Sequence, residues 1–157
     1  MNIVPLADHM TFVDKIAQLH QAEWAHIDRS LTLASRRAAL TEAAGREGIP
    51  SIYVAIDNDE FIGSAALVGQ DLDTHLELGP WLSAVFVKES WRTRGIATLL
   101  VERCEAEAKK AGVQKLYLST EVASGLYEKL GWKTIESCTY KGVKFHVMCK
   151  DLAPSIN

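Results

Sequence analysis

The chain has no long apolar run, no run of basic residues and only three cysteines among its 157 residues. A membrane-spanning helix needs roughly 20 consecutive apolar residues, so no span and no membrane partner are expected. No cleavable leader pattern opens the chain, which points to a cytoplasmic protein. Cys104, Cys138 and Cys149 are scattered and odd in number. They offer neither a disulfide framework nor zinc-motif spacing, and free, mostly buried thiols in a reducing compartment are expected. Net charge is only −3. With no basic patch and no RNA-stacking aromatic motif, nucleic acid is not an expected partner. The triphosphate loop GxxxxGK[ST] is absent, and Gly95 stands alone where the dinucleotide fingerprint GxGxxG needs three glycines. No repeat or low-complexity linker interrupts residues 1–157, so one domain with a substantial core is expected, as a monomer or homodimer.

What is present is concentrated between Leu82 and Leu100. An apolar strand, Leu82 to Val87, runs through a short polar turn into an amphipathic helix. At a helix start the first N–H groups lack intrahelical acceptors, and the helix dipole adds partial positive charge. Gly95 lets backbone approach an anion without a Cβ in the way, and Arg92 and Arg94 flank it with positive charge. This strand–turn–helix reads as a phosphate site. The competing reading is an ordinary turn that binds nothing.

Around it the pattern alternates between helices and strands. Ile3 to Leu6 reads as a strand, His9 to Trp24 as a helix with Phe12, Ile16 and Leu19 on one face. A second helix fits Ser30 to Arg46, with Ser30 as its cap. Ser51 to Ile56 alternates, with Ile52, Val54 and Ile56 on one side. Asp57 to Glu60 has turn chemistry, and Phe61 to Val68 is apolar on both faces, as a covered central strand should be. The long helix carries a stripe of Ile96, Leu100, Cys104 and Ala108 and closes at Gly112; Glu105 and Lys109 are spaced to pair on its surface. Leu116 and Leu118 mark a strand, Ser124 to Leu130 a short helix, and Lys133 to Lys150 a hairpin turning at Tyr140-Lys141-Gly142. The helix joining two central strands makes them parallel. The expected fold class is α/β: a single-domain, mixed, mainly antiparallel sheet flanked by helices on both faces.

Two segments carry a family resemblance. Arg92 to Ala97 resembles the R/Q-x-x-G-x-G/A pyrophosphate loop of the GNAT superfamily of N-acetyltransferases. Ala123 to Trp132, ASGLYEKLGW, resembles that family's A-x-x-L-Y-x-K-x-G-F/W segment, in the family's order and separation. The resemblance implies acetyl-CoA as acyl donor and no metal. It implies that backbone groups of Val85, Phe86 and Val87 hold the pantetheine arm, with an oxyanion stabilised by N–H groups near Phe86. The loop Arg92, Thr93, Arg94, Gly95, Ile96, Ala97 with Thr98 would hold the pyrophosphate. Thr93 stands where the family often has Gly, and Ala97 replaces the last Gly. Thr120 replaces a frequent Asn seven residues before the tyrosine and is a further cofactor contact. By the same resemblance Tyr127 is the catalytic acid for the departing thiolate; its plain reading is a core tyrosine beside Leu126 and Leu130. Transfer from a phenol near pKa ~10 to a thiolate near ~8.5 is uphill by about 2 kcal/mol, so Tyr127 must be perturbed or act by hydrogen bonding.

The nucleophile is then an amine. An alkylamine of pKa ~10.4 must lose a proton at about 4–5 kcal/mol near neutrality. Glu77, just before the strand at Leu82, is the candidate base, and His75 lies in the same loop. Asp71 and Asp73 share that loop and are candidate substrate contacts for a cationic amine. The competing reading is a solvated acidic loop. Trp24 and Trp81 are candidate substrate-groove residues, with core packing as the alternative. The expected reaction is direct attack of a primary amine on acetyl-CoA in a ternary complex. A protein N-terminus or lysine as acceptor, or a non-catalytic acyl-CoA-binding module, are the alternatives.

Overall fold

Asn58 and Asp59 take φ of 48° and 64°, the left-handed pair that a two-residue hairpin turn requires. They fold β2 (Ser51–Asp57) onto β3 (Glu60–Val68), the centre of the sheet. The structure is a computed structural model describing residues 1–121 and 125–152. Its other strands are β1 (Asn2–Pro5), β4 (Trp81–Val87), β5 (Lys115–Thr120), β6 (Lys133–Tyr140) and β7 (Val143–Asp151). They form one seven-stranded sheet in the order β1-β2-β3-β4-β5-β7-β6. Every neighbouring pair is antiparallel except β4 and β5, which are parallel as expected of a helix-linked pair.

Helices α1 (Val13–Trp24) and α2 (Leu33–Ala43) share one face of the sheet; α3 (Ile96–Lys110) covers the other. The short α4 (Gly125–Lys129) follows β5. Ile16, Ala17 and Leu6 pack with Ile52, Val54, Phe61 and Phe86. Leu100, Val101, Cys104 and Ala108 pack with Tyr53, Ala55, Ile62 and Leu116. The α3 stripe is therefore buried as its spacing required, each full-size aliphatic side chain contributing about 1.5–3 kcal/mol. Gly63 permits the close approach of β3 to the bulged β4 and to α3: a Cβ there would lie 2.6 Å from the Phe86 carbonyl oxygen and 3.2 Å from Leu100 Cδ1.

Three local expectations are corrected. β2 does not alternate between core and solvent: Tyr53 and Ala55 are as buried as Ile52 and Val54, because helices cover both faces. The cap of α2 is Thr32, not Ser30. Thr32 Oγ1 accepts from the Ser35 N–H at 3.0 Å, and the Thr32 N–H donates to Ser35 Oγ at 2.8 Å, a reciprocal capping box. Ser30 is taken up by Asp28, through both its N–H and its hydroxyl. Glu105 is drawn off the α3 surface, with one oxygen on Lys150 Nζ at 2.8 Å and the other on Trp132 Nε1 at 2.9 Å.

The feature that positions the site is a break in the sheet. β4 pairs with β5 through one register position, Trp81 with Tyr117, and the strands then diverge. β4 also bulges. Ser64 faces Phe86 while Ala66 faces Ser83, so β4 carries one residue more than β3 over that stretch. Ala84 absorbs it with φ of 53°, and a bulge bends the strand that contains it.

Candidate functional site

The divergence opens a cleft of about 560 Å³ at the C-terminal ends of β4 and β5. Its walls are Ser83 to Val85 on one strand and Leu118 to Thr120 on the other. Trp24 and His20 come from α1, Asp71 and Leu72 from the β3–β4 loop, and Tyr127 from α4.

Asp71 spans the break. As a residue it is half-buried, but its carboxyl group is enclosed between the two strands. Ser83 Oγ on β4 donates to one oxygen at 3.0 Å, and Ser119 Oγ on β5 donates to the other at 3.2 Å. Burial pushes its pKa up from the usual carboxylate value, partly opposed by these two hydroxyls. A carboxylate in that setting holds a proton more readily than one in water.

Tyr127 is half-buried, with its ring edge-on to Trp132 at 6.3 Å. Burial pushes its phenol up to about 12, so it stays neutral and serves as a hydrogen-bond donor. Against an unperturbed thiol near ~8.5, full proton transfer from it is uphill by about 5 kcal/mol.

Trp24 lines the cleft, its ring tilted against His20 at 4.7 Å and edge-on to Phe86 at 6.0 Å. His20 is buried, and burial plus the nearby Arg36 charge lower its pKa to about 3. Trp81 is corrected from groove to core: it is fully buried against Leu72 and Val147, with Nε1 donating to the Leu78 carbonyl. Glu77 and Asp73 are exposed and do not line the cleft, so of these three carboxylates only Asp71 reaches it. The negative charge there comes from places the sequence reading passed over. Glu23, Asp28 and Glu121 all line the cleft, paired to Arg92, Lys141 and His26 in turn, and Arg36 lines it too. A signal for the Asp71 site was present. Ser83 and Ser119 are polar interruptions in two apolar core strands.

Val85 lines the cleft, while the Phe86 and Val87 side chains enter the two opposite cores. At the turn, Gly95 takes φ of 78° with open space around the position of a Cβ. Thr93 is also left-handed, at φ 66°, and its hydroxyl donates to the Arg92 carbonyl. The Ile96 side chain is core, leaving only its backbone at the helix start; Ala97 and Thr98 are half-buried beside it. Arg92 turns back from the turn: Nε donates to the Val87 carbonyl at 2.8 Å and Nη2 meets Glu23 at 3.2 Å. Arg94 lies over the Trp91 ring at 4.9 Å. Thr120 lines the cleft. Ala123, the first residue of the tyrosine motif, lies outside the described residues. Among the described residues no helix is long and apolar enough to cross a membrane.

Residues 49–134 match the protein family described as acetyltransferase (GNAT) domain. Over 93 residues the chain is 36% identical to N-alpha-acetyltransferase 30 of Schizosaccharomyces pombe, covering 57% of this chain and 58% of that protein. Over 55 residues it is 36% identical to an uncharacterized N-acetyltransferase of Chlorobaculum tepidum, covering 35% of each. The chain thus matches less than two thirds of the length of these curated relatives. Among solved structures, aminoglycoside 6'-acetyltransferase type Ii superposes with a TM-score of 0.77 at 23% identity, covering 99% of this chain and 100% of that one. The ribosomal-protein-alanine N-acetyltransferase of Brucella melitensis superposes with a TM-score of 0.78 at 17% identity, covering 96% and 99%. At those identities the likeness is one of fold.

Proposed function

The chain belongs to the acetyltransferase (GNAT) family, and on that premise we propose that it moves an acetyl group from acetyl-CoA to a primary amine on a cationic acceptor. The observation that carries this reading is the cleft between β4 and β5, with Asp71 and Tyr127 on its walls.

The residues present fit the donor. Beyond the Trp81 rung, the β4 flank facing the cleft has main-chain groups that β5 does not take, and an amide-bearing arm can pair with them as an added strand. The left-handed Gly95 and the first-turn N–H groups of α3 supply an uncrowded anion cradle. Acetyl-CoA, when bound, supplies an activated thioester carbonyl and a thiolate leaving group.

The chain's own groups then divide the work. Asp71 takes the base role first assigned to Glu77, because it alone of the loop carboxylates reaches the cleft. Its desolvation narrows the gap to an ammonium near pKa ~10.4. A backbone N–H on the open flank of β4 near Val85, rather than that of Phe86, which the β3 register takes up, polarises the reacting carbonyl. The Tyr127 hydroxyl donates a hydrogen bond to the sulfur as charge develops there. Glu23, Asp28 and Glu121 are paired with Arg92, Lys141 and His26, and a cationic acceptor can exchange with those partners at the mouth.

A second reading, a peptide N-terminus as acceptor, is favoured by the similarity to an N-alpha-acetyltransferase. A panel of polyamines, aminoglycosides and basic peptides with acetyl-CoA, monitored by released thiol, separates the two. Fastest turnover of small cationic amines, with a KM that rises with salt, is the expected result. Faster turnover of peptides moves the assignment to the second reading. Retention of CoA with no thiol release on any acceptor rejects both in favour of a binding module.

A further inference from the structure

Outside the cleft, three side chains of different chemistry converge at the far end of the β3–β4 loop. His75 projects from the loop, and Glu136 and Cys138 from one face of the edge strand β6, two residues apart. One ligand atom from each, His75 nitrogen, Glu136 oxygen and Cys138 sulfur, all lie within 4.8 Å of one another. None of the three lines the cleft. Neither spacing nor sequence motif announces them, because two elements 61 residues apart supply the donors.

We propose that His75, Glu136 and Cys138 form a binding site for a borderline divalent cation, with Zn2+ the best match, clamping the β3–β4 loop to β6. The donor set is mixed nitrogen, oxygen and thiolate, which suits Zn2+ and disfavours the hard cations Mg2+ and Ca2+. Neutral imidazole, carboxylate and thiolate together balance a dication.

The imidazole is held in place from behind. His75 Nδ1 lies 2.7 Å from Thr74 Oγ1, and Nε2 lies 2.8 Å from Glu136 Oε1. With the proton on Nδ1 and shared with Thr74, the Nε2 lone pair can take a metal in place of the Nε2 hydrogen bond to Glu136. Orientation of a ligating histidine through its other nitrogen is the usual supporting arrangement at a metal. The backbone is fixed too: the His75 N–H donates to the Leu72 carbonyl, and the Leu78 N–H donates to the His75 carbonyl.

The distances are close to those required. Bonds of ~2.0 Å to N and O and ~2.3 Å to S at tetrahedral angles put donor atoms about 3.3–3.6 Å apart. A shift of about 1 Å in the Cys138 and Glu136 side chains reaches that geometry. The His75 side chain is 9% exposed and that of Glu136 46%, so the site is anchored on one side and open to water for a fourth ligand. On binding, the Cys138 thiol gives its proton to solvent and its sulfur forms the metal bond.

The test uses the full chain, stripped with a chelator and titrated with Zn2+ alone by calorimetry. Binding is expected at one ion per chain. Affinity should fall at least about tenfold in Cys138→Ser and His75→Gln, since even supporting residues at metal sites cost that much. Cys149→Ser should bind as wild type. Co2+ added to the wild-type protein should give a thiolate-to-metal charge-transfer band, and Zn2+ should protect Cys138 from alkylation. These two readings stand even if a variant fails to fold. Absence of one-to-one binding, undiminished binding in Cys138→Ser, or a Co2+ complex without the thiolate band overturns the proposal. His75 and Glu136 are then a hydrogen-bonded pair that pins the loop.

Discussion

Ser64 Oγ donates a 2.9 Å hydrogen bond to the carbonyl of Ala84, the residue that carries the β4 bulge. That uses the one proton the hydroxyl has. His20 Nε2, 3.0 Å from the same oxygen, is therefore the donor in its own bond to Ser64. Burial keeps the ring neutral, so the donor is the Nε2–H tautomer. A histidine on α1 thus braces, through β3, the bend in β4 that opens the cleft.

The brace makes stability depend on acid. His20 has its pKa lowered from about 6.5 unfolded to about 3 folded. Its stabilising contribution is complete above the unfolded value and is lost as pH falls toward the folded one. Between pH 7.5 and pH 5 that loss is about 2 kcal/mol. Urea unfolding of wild type against His20→Gln, which keeps a donor but cannot be protonated, should show the wild-type slope flattened in the variant. Identical slopes would remove His20 from the account.

Tyr127→Phe should lower kcat roughly tenfold or more and leave acetyl-CoA affinity nearly unchanged. The hydroxyl acts on charge that develops only in the transition state. Wild-type turnover in this variant returns Tyr127 to a packing role against Trp132.

Asp71→Asn keeps the shape between Ser83 and Ser119 and removes the basic oxygen. A drop in kcat of about 10²-fold is expected for a lost general base. The wild-type pH–rate profile should rise with pH through a carboxyl pKa above the usual value, because the ionised form is the active one. That acid limb should vanish in the variant; its persistence would assign the base elsewhere.

Gly95→Val places a branched side chain at a left-handed position facing the anion cradle. Acetyl-CoA affinity should fall at least about tenfold, or about 1.4 kcal/mol, by calorimetry on a variant whose circular dichroism is native. Unchanged affinity would place the pyrophosphate away from this turn.

Elements whose cause is local were legible. The Asn58-Asp59 turn, the α3 stripe and the Lys141-Gly142 turn each follow from residues adjacent in sequence. What escaped the sequence is set by distant partners. Asp71 and Glu77 look alike in the loop, yet only Asp71 meets hydroxyls 12 and 48 residues away. Arg92 reads as an outward phosphate ligand until Glu23, 69 residues before it, draws it back. The bulge is hidden because alanine, not glycine, occupies the left-handed position. β2 misled because tyrosine at Tyr53 looks like a solvent-side residue, whereas its ring lies in the core beneath Arg103.

The lone rung between Trp81 and Tyr117 divides the sheet into two leaves, one of β1 to β4 and one of β5, β7 and β6. Within each leaf the ladders are long; across the seam the strands share one rung, where the Tyr117 N–H donates to the Pro80 carbonyl, with Asp71 as a side-chain stitch. The leaves therefore have a hinge pin at the Trp81 end and a free edge at the Tyr127 end. Amides on the open flank of β4 exchange with solvent without global unfolding, while those bonded to β3 exchange only with it. Whatever fills the seam closes the sheet, so the occupied protein is the stiffer one.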